Sequence, residues 1–203
     1  MRLTMIRPEV KARIDGVILG IRHTFPNVYP ARPDLLIRKM ENCRLVSYQK
    51  LAEINGCHVR DIVRSLNSAD GCTHYSRKTG RYLIAVNLDG RIDGRILWTT
   101  AHEIGHIASG HFLEIDGDVL PSDASMEEEA DYFAAEYLAP LEEIWKARIH
   151  RPSDIRRRFG LSQEAAEFRW SEYRRSRYGI GRTVLNFGKP MDIWPDKNEN
   201  YSL

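Results

Sequence analysis

The sequence runs to 203 residues, 42% hydrophobic and 29% charged, with a formal net charge of +2. That is the make-up of a globular protein with one sizeable domain, or one domain and a small appendage, and it excludes a low-complexity chain. No stretch reaches the roughly 18 consecutive apolar residues of a membrane-spanning helix, and Met1 to Pro8 has no long apolar core of a signal peptide, so no membrane association is expected.

In chain order, Val10, Ile14, Val17, Ile18 and Ile21 recur at helical spacing, and Pro26, Pro30 and Pro33 then punctuate a loop. A helix is predicted from Asp34 to Met40, a short strand at Cys43–Ser47, and a helix capped by Ser47 that ends near Asn55-Gly56. A further helix is expected between His58 and Leu66. Thr73–Ser76 and Arg81–Asn87, separated by Lys78-Thr79-Gly80, read as a hairpin. A buried helix follows from near Arg95 to a stop at Gly110, and Asp116-Gly117 and Pro121 mark a loop. The next helix covers about Ser125 to Leu138, capped by Ser122, Asp123 or Ser125. Pro152 to Tyr178 reads as two helices around Phe159-Gly160-Leu161-Ser162. The segment from Gly179 onward is rich in Gly, Pro and Asn and reads as an irregular tail. Cys43, Cys57 and Cys72 form no C-x-x-C pair, and their odd number reads as free thiols in a reducing, cytoplasmic setting.

Charge is unevenly spread. Glu114 to Glu143 holds eleven acids and no Lys or Arg, whereas Lys146 to Arg182 holds eleven bases against four acids. The acidic stretch can lend a ligand to a metal site. The basic stretch suits a solvated helix surface, an acidic partner or nucleic acid.

The chemistry concentrates at His102-Glu103-Ile104-Gly105-His106, an H-E-x-x-H motif within the buried helix. Residues four apart share a helix face, so His102 and His106 can both reach one Zn2+ ion, with Glu103 beside them as general base toward a metal-activated water. Gly105 costs roughly 1 kcal/mol inside a helix relative to Ala, which points to another backbone packed close at that turn. A catalytic zinc takes a third protein ligand. The extended H-E-x-x-H-x-x-G-x-x-H pattern is excluded by Ser109 and Phe112. His111 lies beyond the helix stop at Gly110 and is a site neighbour before it is a ligand. The other source is a Glu on the next helix, where Glu129 borders the apolar face made by Ala130, Phe133, Ala134, Tyr137 and Leu138.

These residues resemble the ImmA/IrrE family of zincin-type zinc metallopeptidases. The likeness covers roughly residues 45 to 170 and rests on Ile84-Ala85-Val86-Asn87, Trp98 to His106, and Glu129-Ala130-Asp131-Tyr132-Phe133-Ala134-Ala135-Glu136-Tyr137-Leu138-Ala139-Pro140, with Asp131 in place of the usual Asn and Tyr137 in place of a usual Leu. The resemblance implies an α+β fold. In it a small, mostly antiparallel sheet packs on the motif helix and on a second, Glu-bearing helix. It also implies Glu129 as the third zinc ligand, and a substrate lying along the strand Tyr82–Asn87. Ser153 to Trp170 looks like the family's helix-turn-helix-like region, with Arg158 and Arg169 suited to phosphate. Glu164 and Glu167 fit a nucleic-acid groove poorly, which favours a structural or protein-docking role.

The expected organisation is a catalytic domain over 1–145 with an N-terminal helical segment, a basic helix-turn-helix-like region over 146–180, and an irregular tail over 181–203. The resemblance implies a zinc metalloendopeptidase that cleaves a regulatory protein, such as a DNA-binding repressor of a mobile element or stress response. The competing reading is a metal-binding regulator that docks protein or DNA without cleaving anything. Tyr75, His111, Tyr132 and Tyr137 are candidates for stabilising the transition state.

Overall fold

The structure, a computed structural model, describes residues 6–25, 28–115, 118–121 and 123–178. Pro26, the Asp116-Gly117 turn, Ser122 and the segment from Gly179 onward lie outside the described residues.

The chain begins with α1 (Pro8–Thr24), whose Val10, Ile14 and Ile18 are buried at the spacing one helix face requires. Helix α2 (Pro33–Lys39) leads into β1 (Cys43–Ser47). The Ser47 hydroxyl accepts from the Lys50 amide and starts α3 (Tyr48–Asn55), which Gly56 ends in a left-handed conformation. Helix α4 (Val59–Leu66) precedes the hairpin of β2 (Gly71–Ser76) and β3 (Arg81–Val86). The strand order is β1-β3-β2, with β2 antiparallel and β1 parallel to the central β3.

The α+β class holds, but half of the strand pairing is parallel, where a mostly antiparallel sheet is the sequence expectation. The cause is the connection. Strand β1 runs straight into α3 and α4, the chain returns along β2 in the opposite direction, and the β2–β3 hairpin reverses it once more, so β3 points the same way as β1.

Helix α5 (Asp93–Ala108) carries the motif and packs under the sheet, Ile104 meeting Ile84 and Val86 in one core. Gly110, at φ +71°, then turns the chain into the short α6 (His111–Glu114). Helix α7 (Ala124–Leu138) starts at Asp123, whose carboxylate accepts from the amides of Ser125 and Met126. It crosses α5 in backbone contact: a Cβ on Gly105 would lie 2.7 Å from the Ala130 carbonyl oxygen and 2.9 Å from its Cα. The close approach expected at Gly105 is there.

Helices α8 (Leu141–Lys146), α9 (Pro152–Phe159) and α10 (Gln163–Tyr178) complete the fold. Gly160, at φ +70°, ends α9, and the Ser162 hydroxyl accepts from the Ala165 amide at the start of α10. Ile155, Phe159, Leu161, Ala166 and Tyr173 share a core with Ala101 of α5 and Ala134 and Leu138 of α7. Arg169 does not face phosphate. It is 1% exposed, pairs with Glu136 at 2.6 Å and Glu172 at 2.7 Å, and donates to the Ala139 carbonyl. An apolar face around it and two acids within reach make it an internal tie. Among the described residues, no helix is long and apolar enough to cross a membrane.

Candidate metal centre

One turn of α5 brings the Nε2 atoms of His102 and His106 to 3.1 Å. Two nitrogens each about 2.0–2.1 Å from a tetrahedral zinc lie roughly 3.3 Å apart, so the pair is already spaced as two ligands of one ion. The third donor comes from α7. The Glu127 carboxylate lies 3.2 Å from His102 Nε2 and 3.5 Å from His106 Nε2. The three residues form a group able to hold a metal, their ligand atoms all within 4.8 Å of one another. Two imidazoles and a carboxylate that leave room for water are the donor set of a catalytic zinc, and the site fits such an ion.

Glu129, the residue expected as third ligand, is placed elsewhere. Its carboxylate is 1% exposed, accepts from Arg7 at 2.9 and 3.1 Å, and lies 2.9 Å from His111 Nε2. The reason is helical geometry. At about 100° per residue, positions 127 and 129 sit roughly 200° apart around α7, so they cannot address the same point. The legible signal is Glu127 with Asp131, four apart on one face. Asp131 Oδ1 sits 2.9 Å from His102 Nδ1 and also accepts from Trp98 Nε1 at 3.3 Å. One face of α7 thus offers a carboxylate able to serve as a ligand and, one turn on, the carboxylate that orients His102.

His106 is oriented by a second imidazole. Its Nδ1 lies 2.9 Å from His111 Nδ1, which α6 swings back beneath α5. His111 is a neighbour of the site, as the Gly110 break suggests.

Glu103 is buried beside the pair, its Oε2 accepting from the Thr73 hydroxyl of β2 at 2.8 Å. Burial raises its carboxyl above the usual range, opposed by the His102 charge and the Thr73 hydrogen bond. Burial would depress His102, but the carboxylates of Asp131 and Glu127 outweigh it and lift it to about 10. Burial and the nearby His102 charge push His106 down to about 3, which keeps its lone pair available.

The site opens into a cleft of about 620 Å³ lined by β2 residues Gly71, Cys72 and Thr73, the motif side chains, Trp98, and Val119 to Pro121. Tyr75, His111, Tyr132 and Tyr137 are not among its lining residues. Tyr75 stacks on Tyr82, Tyr137 stacks on Phe133, and the Tyr132 hydroxyl donates to Asp15. The strand along the cleft is β2. Strand β3, expected to line it, is central and paired on both edges. Beyond β2, His74 bridges to Val119 and the Tyr75 amide donates to the Asp118 carbonyl.

An H-E-x-x-H helix crossed by a second helix that supplies a carboxylate, beside an edge strand, defines the metallopeptidase type of site. Residues 57–171, more than half of the chain, match the model of the Peptidase M78 family, described as the IrrE N-terminal-like domain. The chain belongs to this family of metallopeptidases, the ImmA/IrrE family. A comparison with curated proteins finds no match.

Proposed function

We propose that the protein is a zinc-dependent endopeptidase that cuts one or a few cytoplasmic regulatory proteins, DNA-binding repressors among them. The observation that carries the reading is the convergence of His102, His106 and Glu127 at one point in the cleft, with Glu103 beside it. When bound, zinc supplies Lewis acidity toward the scissile carbonyl and lowers the pKa of water.

The chain's own residues do the rest. His102 and His106 present Nε2 to the ion because Asp131 and His111 hold their Nδ1 atoms. Thr73 fixes one Glu103 oxygen, leaving Oε1 to take a proton from the attacking water and pass it to the leaving amine nitrogen. A carboxyl raised by burial is closer to the proton affinity this exchange needs. The cleft beside Thr73 of β2 suits an extended peptide segment, so the substrate presents a loop or linker able to straighten.

The test compares cells producing the wild type with cells producing Glu103→Gln, by mapping new protein N-termini. Loss of a general base costs about 10²–10⁴ in rate. The wild type should generate a small set of N-termini that Glu103→Gln does not. Identical sets would remove the peptidase reading.

A further inference from the structure

Arg7 and α1 lie outside residues 57–171, yet Arg7 reaches into the metal centre through Glu129. Four side chains stand in a row: Arg7 Nε is 2.9 Å from Glu129 Oε1, Glu129 Oε2 is 2.9 Å from His111 Nε2, and His111 Nδ1 is 2.9 Å from His106 Nδ1. Glu129 and His111 are almost wholly buried, at 1% and 0% exposure.

The row has one self-consistent set of donors. Once His106 gives its Nε2 lone pair to a metal, its hydrogen sits on Nδ1 and is donated to His111. His111 must then accept at Nδ1, carry its own hydrogen on Nε2 and donate it to Glu129. An ionised carboxylate only accepts, which suits that end of the row. Arg7 supplies the positive charge that a buried carboxylate requires.

We infer that His111 and Glu129, tied down by Arg7, are positioning residues that lock His106 in its metal-binding tautomer, so that the N-terminal segment sets the metal affinity of the site. This rests on the metal centre proposed above. It assigns to Glu129 the orientation of a ligand in place of ligation. It also gives α1 a part in the chemistry. The helix is pinned to the layer of α5 and α7 by Arg13 on the Ser109 carbonyl and Arg22 on the Glu136 carbonyl.

The experiment is zinc affinity by competition with a chromophoric chelator, on the full chain, for the wild type, His111→Phe, His111→Asn and Arg7→Met. Outer partners of metal-ligating histidines are worth about 10–100-fold in metal affinity. His111→Phe fills the space but accepts nothing from His106, so its zinc affinity should fall by about 10–100-fold. In His111→Asn the amide oxygen stands where Nδ1 stood and accepts the same hydrogen, so affinity should recover most of that loss, to about the level of Arg7→Met, the tie to Glu129 still being absent. Arg7→Met alters a partly exposed position and should weaken zinc binding several-fold, which keeps the proposal testable if His111→Phe does not fold. Wild-type affinity in either His111→Phe or Arg7→Met would overturn the proposal, as would His111→Asn as weak as His111→Phe. Those outcomes leave the metal centre intact. A wild type that binds no zinc would remove the metal centre itself.

Discussion

Glu127 and Asp131 lie one turn apart on α7 and act on the same histidine from two sides, Glu127 at Nε2 and Asp131 at Nδ1. Without metal, those carboxylates hold a proton on His102 up to about pH 10. A zinc ion entering near neutral pH must therefore displace it, and affinity should rise with pH toward that value. Calorimetric titration of the protein with zinc in two buffers of different ionisation enthalpy should show about one proton released per ion at pH 7. Equal heats in both buffers would contradict that reading of His102. At this scale the sequence shows His102, Glu103 and His106 openly, because their spacing is their chemistry. The third ligand is harder to see because Glu127, Glu128 and Glu129 are chemically alike. Only the face each occupies distinguishes them, and that face is read from Asp131 one turn further on.

The helix crossing of α5 and α7 sets the distance between the histidine pair and Glu127. Gly105 is the point of closest approach, and the atoms facing it belong to the Ala130 backbone, which cannot turn aside as a side chain can. Gly105→Ala gains roughly 1 kcal/mol of helix propensity. The overpacking should cost more, about 1–3 kcal/mol, and should displace Glu127 from the pair. Chemical denaturation with zinc titration checks both effects, and a Gly105→Ala protein as stable and as tight for zinc as the wild type would refute the crossing. Most helices and their ends are legible in the sequence. Their signals are local: the Ser47 and Asp123 caps and the Gly56, Gly110 and Gly160 stops. The direction of β1 and the central place of β3 are not legible, since both follow from pairings far apart in sequence. That is why the cleft wall falls on β2 and not on β3.

Across the whole molecule, polar ties at a distance hold the layers together. Arg169 binds α10 to α7 through Glu136 and to the end of α7 through the Ala139 carbonyl. Removing one member of a buried ion network leaves charge unpaired, at a cost of about 3–5 kcal/mol. Arg169→Met should lower stability by about that amount, as read by urea denaturation. No loss of stability would return Arg169 to a surface role. Its composition marks the region as basic, but composition cannot show that this arginine faces inward. A catalytic metal held by His102, His106 and Glu127 makes zinc stoichiometry after exhaustive dialysis the decisive measurement. The wild type and Glu103→Gln should retain one zinc per chain, and His106→Ala and Glu127→Ala none. A Glu127→Ala protein that keeps its zinc as tightly as the wild type would contradict it.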